Sequence, residues 1–75
     1  MLGIAYHNPL FPRAGEARAL EAWRDAERLV ASRWQCFLAA EPESRVWAFA
    51  SYVAALDAEE AAAADLATTS LRFAA

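Results

Sequence analysis

The chain has 75 residues, of which 21 are alanine and none is lysine, and its formal net charge is −3 at pH 7. Its length fits one domain near the lower size limit for independent folding, and its acidic balance argues against nucleic-acid binding, which usually needs a basic face. The longest alanine-rich apolar run, 46–56, covers 11 residues against the ~20 of a membrane span, so we expect a cytoplasmic protein without a nucleic-acid or membrane partner.

The first 14 residues predict an extended N-terminal arm. His7-Asn8-Pro9 and Phe11-Pro12 disfavour helix, because proline lacks a backbone donor and restricts the residue before it. The arm is apolar enough to lie against a surface of its own chain or of a partner. We therefore count Phe11 among the candidate interface residues.

A long first helix is predicted over 15–39. At about 100° per residue one face collects its large apolar side chains, namely Leu20, Trp23, Val30, Trp34, Phe37 and Leu38. A shallower stripe of Ala22, Ala26, Leu29 and Cys36 lies beside that face. Small residues there would let another helix approach closely, so this helix is expected to pack on two sides.

Pro42 with its acidic neighbours predicts a break and the start of a second helix. That helix is expected over 43–56, with an apolar stripe of Val46, Phe49, Ala50, Val53 and Leu56. Asp57 and Glu60 would interrupt the stripe, and their spacing resembles a capping box. A third helix over 58–72 is therefore favoured, with one continuous helix over 43–70 as the alternative.

A chain this short needs an additional source of stability. Cys36 is the only cysteine and His7 the only histidine, which excludes an internal disulfide and a structural zinc site of the usual ligands. We therefore expect an all-α fold, a helical hairpin with a short third helix that is completed by dimerisation into a four-helix arrangement. No cofactor or metal is expected.

Glu27 is the candidate ligand-binding residue, since the helical wheel places it between Trp23 and Trp34 on the apolar face. A carboxylate desolvated there could hold a basic ligand in an aromatic pocket. The simpler interpretation puts Glu27 at the edge of the stripe, or pairs it with Arg45, Tyr52 or an arginine of a second subunit. The sequence contains no catalytic constellation.

Four residues are predicted to lie at a protein interface: Trp47, Leu29, Tyr52 and Phe11. Trp47 carries a large indole away from the second helix's apolar stripe, which is typical of an interface residue or of a tryptophan that covers a loop. The sequence therefore predicts a non-catalytic protein–protein interaction module that self-associates. The alternatives are a small-molecule binder built around Glu27, and a regulatory or antitoxin-like subunit that binds a different protein.

Overall fold

A computed structural model describes residues 14–74 of the chain as an antiparallel helical hairpin. Helix α1 spans Ala14–Ala39, where the sequence predicted 15–39, and helix α2 spans Arg45–Ala74. The described residues contain no strand, so their architecture is all-α as predicted. The predicted arm, with Phe11 and His7, lies outside the described residues, except that Ala14 already belongs to α1.

The turn between the helices begins where the sequence placed it. Glu41 is extended, with φ −66° and ψ 153°, as expected for a residue before proline. Pro42 then opens a short 3-10 turn, Pro42–Ser44, in which the Ser44 amide donates to the Glu41 carbonyl at 2.9 Å. The Arg45 amide donates to the Pro42 carbonyl and leads into α2.

The predicted break at Asp57 is wrong, because α2 is one helix of 30 residues that continues through this position to Ala74. There is accordingly no separate third helix within the described part of the chain, and the continuous helix that the sequence left as the alternative is the observed one. The physical reason lies in the packing face. Asp57 and Glu60 are both exposed, so neither has to be kept out of the contact with α1. The alanines that follow have the highest intrinsic helix propensity.

The two helices meet along a line of residues, large and small, that are less exposed than their neighbours, and we call this line the seam. On each helix the less exposed residues recur at alternating spacings of three and four, the pattern of a left-handed helix pair. The seam consists of Ala19, Trp23, Ala26, Val30 and Phe37 on α1 and Ala48, Tyr52, Ala55, Glu59, Ala62 and Leu66 on α2. Only Ala19 and Ala55, at 6% and 4% exposure, are buried among the described residues.

Two hydrogen bonds between side chains link the helices far from the turn. The Trp23 indole Nε1 donates to Glu59 Oε2 at 2.8 Å, and the Ser70 hydroxyl donates to Glu16 Oε2 at 3.1 Å. Both pairs are partly buried, which strengthens a hydrogen bond to a carboxylate relative to one in water. They fix how the open ends of α1 and α2 face each other.

The second helix does not bury the stripe that the sequence assigned to its core. Val46, Phe49, Val53 and Leu56 remain exposed by between 37% and 75%, and Ala50 is exposed as well. The seam residues of α2 beside this stripe each precede one of its members by one position in the sequence. The seam therefore lies about 100° around the helix from the stripe. Alanines in the seam permit a close approach of the helices, and this leaves the larger side chains outside it.

Candidate interaction surface

An aromatic cluster joins the two helices next to the turn. The Trp34 ring lies 5.0 Å from Tyr52 and 5.4 Å from Phe37, measured between ring centroids. Phe49 closes the cluster at 5.4 Å from Phe37 and 6.2 Å from Tyr52. These tilted arrangements are within the range that aromatic pairs favour. The cluster therefore fixes Trp34 of α1 and Phe49 of α2 in one connected group at the turn end of the hairpin.

A wider apolar surface extends outward from this cluster. Trp34 and Phe49 occupy equivalent positions beside the seam, and such positions in an antiparallel helix pair border the same side. Leu38 follows Trp34 by four residues, a helical spacing that keeps both on one face. Val46, Val53 and Leu56 share a face with Phe49 for the same reason. We call this surface the apolar face: Trp34, Leu38, Val46, Phe49, Val53 and Leu56, all of them exposed.

The apolar face ends at charged residues towards the open end of the hairpin. Glu27 lies two turns before Trp34 on the same stripe of α1, and Glu60 lies four residues after Leu56 on α2. Both carboxylates are exposed, and Arg24 on the neighbouring turn of α1 is exposed too. The apolar face is therefore confined to the half of the hairpin nearest the turn.

The predicted ligand site is not assembled as the sequence suggested. Glu27 is exposed rather than enclosed, because the seam of α1 runs through Ala26 and Val30 on either side of it. Trp23 and Trp34 also contact different residues. Trp23 donates its indole hydrogen to Glu59, whereas Trp34 belongs to the aromatic cluster. The described chain thus gives no enclosed carboxylate between two indoles.

The predicted interface residues are divided between two sides of the hairpin. Tyr52 packs within the aromatic cluster and borders the apolar face. Trp47 is 76% exposed and lies about 200° around α2 from Phe49. Leu29 is also exposed and lies about 140° around α1 from Trp34. Phe11 lies outside the described residues.

Two hydrogen-bonded contacts between the helices were missed from the sequence. Glu59 was not singled out, although it recurs with Tyr52 and Ala55 at seam spacing, and its partner Trp23 was assigned to a pocket. Ser70 and Glu16 were missed because they are 54 positions apart and nothing local marks the pair. Residue size alone does not mark the seam of α2, because its alanines alternate with larger residues such as Tyr52 and Glu59.

Three further features of the described residues concern metal ligands, membrane-spanning helices and the thiol. Residues 14–74 contain no group of three or more side chains that could hold a metal ion. Within the same range, neither helix combines the length and apolar character needed to cross a membrane. The thiol of Cys36 is exposed and free. The described part of the chain therefore presents the apolar face beside the seam.

Comparison with known proteins gives no family for the chain. No protein-family model matches its sequence, and neither a curated protein nor a solved structure shows a significant match.

Proposed function

We propose that the chain is a non-catalytic helical protein–protein interaction module that acts by self-association through the apolar face. One observation carries the proposal. Six large apolar side chains are exposed on one side of a hairpin whose own buried residues, within the described range, are two alanines. A fold that orders this many residues costs roughly 1–2 kcal/mol per residue in backbone entropy, and two buried methyl groups offset little of that.

The size of the apolar face supports a partner of protein dimensions. Its six side chains expose on the order of 500 Å² per chain, since one large aromatic side chain alone covers about 150–250 Å². This is at the upper end of the patches that monomers carry, about 300–600 Å². It also supplies much of the ~800 Å² that each partner contributes to a standard interface. A second copy would bring an apolar surface of the same size.

Polarity at the margin of the face also supports a specific association. Its two aromatic members, Trp34 and Phe49, lie beside the seam, and the charged residues Glu27 and Glu60 lie at one end of the face. Protein interfaces commonly combine an aromatic, charge-depleted centre with a polar rim. Alternating charge on the outer surface of α1, including the Arg28–Asp25 ion pair, favours solvent exposure there.

The test is the solution mass measured by light scattering over a dilution series. We expect twice the 8.2 kDa chain mass for the native protein and for Trp47→Ser. We expect dissociation of the double variant Phe49→Ser/Leu56→Ser. Trp47 is the matched control because it is more exposed than either replaced residue but lies on another side of α2. Far-ultraviolet circular dichroism on the same samples records the helix content.

Two results would contradict the proposal. One is a native chain that stays monomeric and helical up to high concentration, which would assign the apolar face to a different protein and favour a regulatory or antitoxin-like subunit. The other is equal loss of association in Trp47→Ser and in the double variant. Equal loss would mean that general hydrophobicity, rather than this face, drives the association.

A further inference from the structure

We draw no further inference here: the strongest candidate, the apolar face on the turn half of the hairpin, already carries the proposed self-association, and nothing in the structure shows how it is covered.

Discussion

Replacing Ala55 by leucine tests whether the seam is the surface on which the two helices pack. Ala55 is 4% exposed and lies between Tyr52 and Glu59 on the side of α2 that faces α1. Leucine adds three carbon atoms where the helices are in contact. We therefore expect the substitution to push the helices apart, instead of adding favourable burial.

The expected loss is about 1–3 kcal/mol of the free energy of unfolding, the usual cost of overpacking a close contact. A chain of this size has a total stability of roughly 4–11 kcal/mol at the usual 0.05–0.15 kcal/mol per residue. The loss is therefore a substantial fraction of the whole. It corresponds to a decrease in Tm of about 4–24 °C, at the 4–8 °C per kcal/mol that small domains show.

The assay is thermal and urea unfolding followed by circular dichroism at 222 nm, at two or more fixed protein concentrations. Fixed concentrations are needed because association shifts the apparent stability by mass action. Ala54→Leu is the matched control, since Ala54 is exposed on the adjacent position and the two residues have similar helix propensity. A Tm for Ala55→Leu equal to or above that of Ala54→Leu would refute the assignment of the seam.

Two further predictions concern the tryptophans. Trp23→Phe removes the indole donor from Glu59 and is expected to lower the free energy of unfolding by about 1–2 kcal/mol, somewhat below the full value for a hydrogen bond to a charged group because the pair is only partly buried. Glu59→Gln keeps an acceptor oxygen and should lose less in urea unfolding; an equal or larger loss would argue against a contribution from this bond. In chains that retain only Trp34, the emission maximum should move to shorter wavelength as concentration rises, because association covers the apolar face. Chains that retain only Trp47 should show no such change, and a shift there instead would place the interface on the other side of α2.

The helices themselves could be predicted from the sequence, because helix formation depends largely on local properties of the chain. Pro42 and its acidic neighbours indicate a helix start regardless of tertiary contacts. The alanine-rich composition favours helix throughout. The error at Asp57 came from assuming that the stripe ending at Leu56 must be buried against α1. Once that stripe is exposed, Asp57 and Glu60 no longer conflict with a continuous helix.

The face on which the helices pack was harder to predict from the sequence. A periodic pattern identifies a helix face but does not show what covers it. The large side chains of α2 and its small ones both recur at helical spacing, one residue out of phase. Sequence reasoning assigned Val46, Val53 and Leu56 to the contact between helices, whereas these side chains are exposed and Ala55 is the residue of α2 that is buried among those described. The same limit applies to Glu27, whose position on the wheel was correct but whose exposure depends on which neighbouring residues form the seam.

The hydrogen bonds at the open end offer a physical reason why the hairpin displays one stripe and not the other. A rotation of α2 by about 100° would exchange the two stripes and turn Val53 and Leu56 towards α1. The same rotation would turn Glu59 away from the indole of Trp23, leaving a partly buried donor without its acceptor, a loss of about 1–3 kcal/mol. It would also spread the helices apart to accommodate the larger side chains. This polar contact, between residues 36 positions apart in sequence, is made only in the observed rotation of α2, which also leaves the apolar face outside the hairpin.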